Sequence, residues 1–275
     1  MRWGLEDVRV SFAGRAALAG VTVPVDPSRV TVVVGGDGAG KSTCLKALVG
    51  LLRPGAGTVR RPSKQRVGYV PATAGLYADL TVQENLDFSA DAYRLPAAER
   101  GPREQEILER IGLARARARL AGQLSGGMQR KLAVGLALLH TPEMLVLDEP
   151  TTGVDPVSRA ELWRLISGAA AAGAAVAVAT TYVNEAARAA SVVLLEAGNV
   201  LASGSPGSIL ASVPGAVGAV GAAWGAARPA PLSWRRGAGW RVWAPAGDLP
   251  PGAQKADPDF EDAVVIAELA GQAGR

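Results

Sequence analysis

The residues best equipped for chemistry lie in one short run, because positions 35–43 read GGDGAGKST. This satisfies the phosphate-binding pattern of Gly, four residues, Gly, Lys and Ser or Thr. Gly35, Gly36, Gly38 and Gly40, with Asp37 and Ala39 among them, let successive backbone N–H groups turn inward around phosphate oxygens. A helix opening behind the loop would point its positive end at the same oxygens. Lys41 would bring a charge to the β and γ phosphates, and Ser42, followed by Thr43, would supply a ligand for Mg2+. A chance glycine turn is the bland alternative.

A second run narrows the chemistry. Positions 144–149 read MLVLDE, a predicted strand that ends in two carboxylates. Asp148 can hold Mg2+ through water, and Glu149 can orient and polarise an attacking water. Two adjacent acids at a buried strand end are costly unless a cation uses them. The competing reading is the solvated start of a helix after a core strand.

These residues need elements to hold them. Residues 30–34 (VTVVV) predict a strand buried on both faces of a parallel sheet, leading straight into the glycine loop. Residues 41–52 predict a helix stopped by Arg53, Pro54 and Gly55. Apolar runs at 144–147, 174–180 and 192–195, separated by helical stretches, complete the pattern of a parallel α/β sheet. Strand signals vanish between 76 and 140, which predicts a helical subdomain inserted between strands. Past Pro206 the composition changes again. Trp224, Trp234, Trp240 and Trp243 stand among Gly and Pro, before a predicted helix at 260–269. This predicts a small appendage, with the tryptophans packing a strand pair rather than stacking on nucleic acid.

The totals agree with this layout. The 275 residues suffice for one large domain and an appendage. A net charge of +4 suits anionic partners without choosing among them. Cys44 is the only cysteine, so an intramolecular disulfide and a cysteine-based metal site are excluded within the chain. The N-terminal residues do not read as a signal peptide. The uncharged stretch 209–227 has the length of a membrane span, but its Ala and Gly content and Pro214 argue against one.

Residues 124–128 read LSGGM, close to the LSGGQ signature of the ATP-binding cassette (ABC) proteins, which the chain resembles from about Leu5 to Gly204. The resemblance implies a P-loop NTPase-type, mostly parallel α/β sheet carrying a helical subdomain at about 76–140. Its boundaries would be 1–205 for the nucleotide-binding domain and 206–275 for the C-terminal appendage. It implies ATP and Mg2+ as cofactors, with Glu149 catalytic and Ser42 and Asp148 on the metal. It also implies a head-to-tail dimer in which Ser125, Gly126 and Gly127 touch the ATP held by a second cassette. Asp155, in PTTGVD, falls on the aspartate that links the two sites. Phe12 falls where an aromatic ring stacks on adenine, although a core phenylalanine would read the same. The wording of 67–86 and of the tail resembles exporters whose permease is a separate protein of the ABC-2 type. The partners implied are a membrane permease and a second cassette, and not nucleic acid. The implied location is the cytoplasmic face of the cell membrane.

Two positions depart from the family pattern. Ala72 stands where a glutamine helps bind magnesium and the attacking water, and Thr181 stands where a histidine bonds the γ-phosphate. Alanine offers no ligand, and threonine is too short to span the distance an imidazole covers without a water. Losing one positioned donor costs about two to three orders of magnitude in rate. The expectation is therefore an ATPase subunit that couples ATP hydrolysis to export, slow at its own site. The alternative is a nucleotide-binding regulatory or structural cassette that hardly turns ATP over. A DNA-repair or translation cassette would need a second cassette, a coiled coil or a zinc insertion, none of which is read here.

Overall fold

A computed structural model describes residues 3–222, 224 and 232–273. The chain divides into two compact units, Met1–Val200 and Leu201–Arg275. The first opens with β1 (Trp3–Phe12) and β2 (Arg15–Val25), followed by β3 (Val30–Val34), α1 (Lys41–Leu48), β4 (Ala56–Arg60) and β5 (Val67–Val70). Three helices follow, α2 (Val82–Ala92), α3 (Ala97–Arg110) and α4 (Gly126–Leu138). The α/β alternation then resumes with β6 (Met144–Asp148), α5 (Pro156–Ala171), β7 (Ala175–Thr180), α6 (Val183–Ala186), β8 (Ser191–Glu196) and β9 (Asn199–Gly204).

The central sheet runs β5-β6-β7-β3-β8-β9, and its pairings from β5 through β8 are parallel. Every residue of β3, β6 and β7 is buried, the condition under which β-branched and small apolar runs outlast alternation. Leu45 and Leu48 of α1 pack with Val33, Met144 and Val146 from this sheet and with Val8, Val21 and Val23 of an antiparallel sheet, β2-β1-β4.

That antiparallel sheet was not read from the sequence, because its strands lose strict alternation. Register shifts interrupt β1 at three places, and Asp7 within it has φ 47°. The first helix also differs, ending at Leu48 rather than at residue 52. Gly50 adopts φ 76°, and the N–H groups of Leu51 and Leu52 turn back to the Lys46 carbonyl. A left-handed glycine just past the last turn stops the helix before the proline is reached.

Between β5 and β6 the described residues hold helices and one isolated bridge, Thr81 to Leu120. The first of these helices is fixed by a capping box. The Thr81 hydroxyl accepts from the Glu84 N–H at 3.1 Å while Glu84 accepts from the Thr81 N–H at 2.7 Å. Helix α4 lies directly on β5: a Cβ added at Gly68 would stand 2.2 Å from the Ala137 carbonyl oxygen. His140, just past α4 and before β6, stacks on Tyr93 with ring centroids 3.5 Å apart, and burial lowers its pKa to about 4.

The second unit holds α7 (Pro206–Ala211), β10 (Ala216–Val220), β11 (Ser233–Arg236), β12 (Gly239–Ala244), β13 (Gln254–Lys255) and α8 (Phe260–Ala273). The expected strand pair is the β11–β12 hairpin, but it belongs to a four-stranded antiparallel sheet, β11-β12-β10-β13. Its β10 comes from the Ala/Gly-rich stretch weighed as a membrane span. Among the described residues no helix is long and apolar enough to cross a membrane. Trp243 packs with Val217 and Ile266, and its Nε1 donates to the Pro214 carbonyl at 2.8 Å. Arg236 pairs with Asp259 and with the fully buried Asp262, tying the hairpin to the start of α8.

Gly68→Ala must push β5 and α4 apart, because the obstacle is backbone. Urea unfolding is expected to show a loss of about 1–3 kcal/mol. Gly168→Ala, in α5 where the nearest atom to the added carbon is Arg110 Nη2 at 3.8 Å, should instead gain about 0.5–1 kcal/mol.

Candidate functional site

The register of the central sheet decides what meets what. Val34 pairs with Thr180 and Asp148 with Ala179, while Val70 lies opposite Leu147. Four strands therefore end together, and the segments that follow them start from one edge: the glycine loop after β3, Pro71 and Ala72 after β5, Glu149 after β6 and Thr181 after β7. His140 precedes the other end of β6, so it cannot stand in for the residue at 181.

The glycine loop closes on Lys41. Its Nζ donates to the carbonyls of Gly35 and Gly36, each at 3.0 Å, and lies 3.5 Å from Glu149 Oε1. The ammonium is enclosed, with the residue 5% exposed. Gly40 precedes α1 at φ 105°, and a Cβ there would meet the Ala17 carbonyl oxygen at 2.8 Å. The helix start carries no side-chain cap, so its first-turn N–H groups have no side-chain competitor for an anion. Gly38, at φ 79°, faces open space, and Asp37 beside it is exposed.

Ser42 donates its hydroxyl to Asp148 Oδ1 at 3.1 Å, across 106 positions of sequence. Asp148 is 1% exposed. Burial raises its carboxyl pKa, opposed by the Ser42 hydrogen bond, with Glu149 adding to the rise and the lysines 46 and 41 lowering it. A buried carboxylate beside a hydroxyl offers the oxygen donors that Mg2+ takes. Among the described residues no group of three or more His, Cys, Asp or Glu could hold an ion.

Glu149 occupies a strained backbone position, with φ 49° and its N–H bonded to the Ala179 carbonyl at 2.9 Å. Its Oε2 accepts from the Thr152 hydroxyl at 3.0 Å. The carboxylate is thus held from both sides, by Lys41 and by Thr152. Thr152 was not singled out in the sequence, since a lone threonine in a loop carries no spacing signal.

The remaining expected residues lie apart from this cluster or at its margin. Phe12, at the end of β1, is 53% exposed and takes no part in the core. Ser125 and Gly126 are exposed at the start of α4, where the Ser125 hydroxyl accepts from the Met128 N–H at 3.3 Å. Gly127 is buried against α5, its added Cβ 2.7 Å from Ser158 Oγ. Among the described residues no hydrogen bond or ion pair joins Ser125 to the glycine loop. Asp155 caps α5, accepting from the N–H groups of Val157 and Ser158, and hydrogen bonds from Ser158 lead in holding its carboxyl below the usual range. Thr181 is half-buried; its neighbour Thr180 donates to Glu185 at 2.8 Å. Ala72 is exposed, and its carbonyl accepts from Arg130 Nη2 at 2.6 Å. Arg130 is a second residue that sequence reasoning missed.

Residues 18–152 match the family model for the ABC transporter. The chain is 37% identical over 222 residues to the probable multidrug ABC transporter ATP-binding protein YbhF of Escherichia coli (strain K12), covering 77% of this chain and 38% of that relative. It is 34% identical over 219 residues to the Nod factor export ATP-binding protein I of Paraburkholderia xenovorans (strain LB400), covering 75% of this chain and 72% of that one. A solved ATP-binding subunit of an ABC transporter superposes with a TM-score of 0.70 at 30% identity, over 76% of this chain and 92% of that one. The signature, the glycine loop and the acidic strand end stand within the matched length, and the chain belongs to the ABC transporter family as one of its ATP-binding cassettes.

Proposed function

We propose that this chain is the ATPase subunit of an exporter, working from the cytoplasmic face of a membrane with a separate permease and a second cassette. One observation carries the reading: Lys41, the Ser42–Asp148 pair and Glu149 converge at one edge of the sheet. The name of one relative, the Nod factor export ATP-binding protein I, supports the direction. In this reading residues 1–205 form the nucleotide-binding domain and 206–275 an appendage of unassigned task.

Each residue has a physical task. The N–H groups of the loop from Gly35 to Thr43 and the start of α1 hold the phosphates of ATP. Lys41 exchanges the two carbonyls and Glu149 for phosphate oxygens, which carry more negative charge. That exchange frees Glu149 to orient the attacking water and accept its proton as the new P–O bond forms and the bond to the ADP oxygen breaks. Ser42 and Asp148 hold Mg2+, which when bound neutralises phosphate charge. Phe12, already exposed, stacks on adenine. Ser125, Gly126 and Gly127 serve the ATP of the second cassette, and Asp155 links the two sites.

The site has gaps on its own side. Ala72 and Thr181 lie on the segments that serve the ATP held by this chain, whereas the residues offered to the partner's ATP are present. A homodimer would repeat both gaps, and pairing with a complete cassette leaves one fully equipped site.

Lys41→Ala should weaken ATP binding by about two orders of magnitude, since it strips the buried charge facing the phosphates. Titration calorimetry reads this, and unchanged affinity would sink the phosphate-loop assignment. Glu149→Gln should bind ATP normally while lowering kcat about a hundredfold or more. It should also accumulate an ATP-bound dimer in size-exclusion chromatography with light scattering. A variant that hydrolyses ATP at the parental rate would remove Glu149 from the mechanism.

The asymmetric pair makes a separate forecast. The isolated chain should hydrolyse ATP slowly, and Ala72→Gln with Thr181→His should raise that rate at least about tenfold. In a pair with a complete cassette, Ser125→Arg should cost more activity than Thr181→Ala. Fast turnover by the unmodified homodimer would contradict the pairing argument.

A further inference from the structure

Arg130 lies in the second turn of α4, and its Nη2 donates to the Ala72 carbonyl at 2.6 Å. Its Nη1 is shut away from solvent and has no hydrogen-bond partner. A buried donor left without a partner is expensive, and a charged one more so. Position 72 is where the family resemblance expects a glutamine and where this chain has a side chain with nothing to offer. The strand-end segment that lost its own polar side chain is therefore the one to which a guanidinium from the helical layer is anchored.

The surroundings show what that guanidinium faces. A cavity of about 250 Å³ is bounded by Ala72, Gly126, Arg130 and Thr152. Thr152 is the residue whose hydroxyl holds Glu149 Oε2. The charges that bear on Arg130 are the carboxylates of Glu149 and Asp148, which oppose the downward pull of burial on its pKa. At roughly 30 Å³ of liquid volume per water, the cavity has room for several waters between the Arg130 side chain and Thr152, the residue that holds Glu149.

We propose that Arg130 is a positioning residue for hydrolysis at this chain's own site: anchored on the Ala72 carbonyl, it orders the water beside Glu149 that a longer side chain at 72 would otherwise order. The contact with Ala72 lies within one chain, so the residue acts in cis. It does not reach the reacting atoms, and its effect passes through water and through the orientation of Glu149. The proposal rests on the ATPase reading above.

The test is steady-state and single-turnover hydrolysis by the full chain, with ATP binding measured separately by calorimetry. Arg130→Gln removes the charge and, two bonds shorter than arginine, the reach to the Ala72 carbonyl. It should lower kcat about tenfold, below the loss typical of a donor that touches the transition state, with KM and ATP affinity changed less than about twofold. Arg130→Lys, which restores a cation, should recover part of the loss. Adding Ala72→Gln to Arg130→Gln should recover activity as well, because the two side chains would do the same work from opposite walls of the cavity. Thermal unfolding of each variant accompanies the kinetics. If Arg130→Gln and Arg130→Lys lose the same activity in step with lost stability, or if Ala72→Gln gives no recovery, Arg130 is structural and the proposal fails. Parental kcat in Arg130→Gln overturns it equally, while leaving the ATPase reading intact. A wild type that binds ATP and never hydrolyses it overturns both.

Discussion

Parallel register in the central sheet is the constraint from which the site follows. Each of β5, β6, β7 and β3 is a short buried strand, and the pairings align their C-terminal ends to within a residue. A slip of one residue in any of them would turn its apolar side chains through the sheet and withdraw its loop from the common edge. The burial that fixes the strands is thus the same interaction that brings Lys41, Ser42, Asp148 and Glu149 together. No hydrogen bond within the site could do this alone, since its members come from positions more than 100 apart in the chain.

At that edge the charges satisfy one another. An enclosed ammonium rests on two carbonyls and one carboxylate, and the neighbouring carboxylate leans on a serine. On the proposed reading, the carboxylate that would polarise water is paired until phosphate displaces it. The backbone of Glu149, held at φ 49° by its bond to β7, keeps the carboxylate near the lysine. Strain of this kind persists only where surrounding structure over-determines the position.

Much of this arrangement was legible in the sequence, for identifiable reasons. The glycine loop and the MLVLDE run are contiguous, so their residue types and spacing carry the chemistry on their face. Strands buried on both sides read as unbroken apolar runs. The antiparallel sheet was not legible, because β1 changes register three times and exposes Asp7 in mid-strand. The end of α1 was misplaced because Gly50 acts before the more conspicuous Pro54. The partnership of Arg130 with Ala72 left no trace at all. It joins a side chain to a carbonyl 58 positions away, and any residue type at 72 presents the same carbonyl.

The contact between Gly68 and Ala137 has a mechanical consequence. Where β5 and α4 touch backbone to backbone, no side chain stands between them, and a tilt of the helical layer that kept this contact would turn about it. Gly68 lies four residues before Ala72, and α4 carries Ser125 at its cap, Arg130 in its second turn and Ala137 near its end. In such a tilt the point of contact would act as a fulcrum, with α4 as the lever arm. A small tilt imposed from outside on the helices would be magnified at the far tip, swinging the signature while the segment after β5, nearer the pivot, travels less. The tether from Arg130 to Ala72 spans these unequal displacements, and would tighten or slacken as the lever turns.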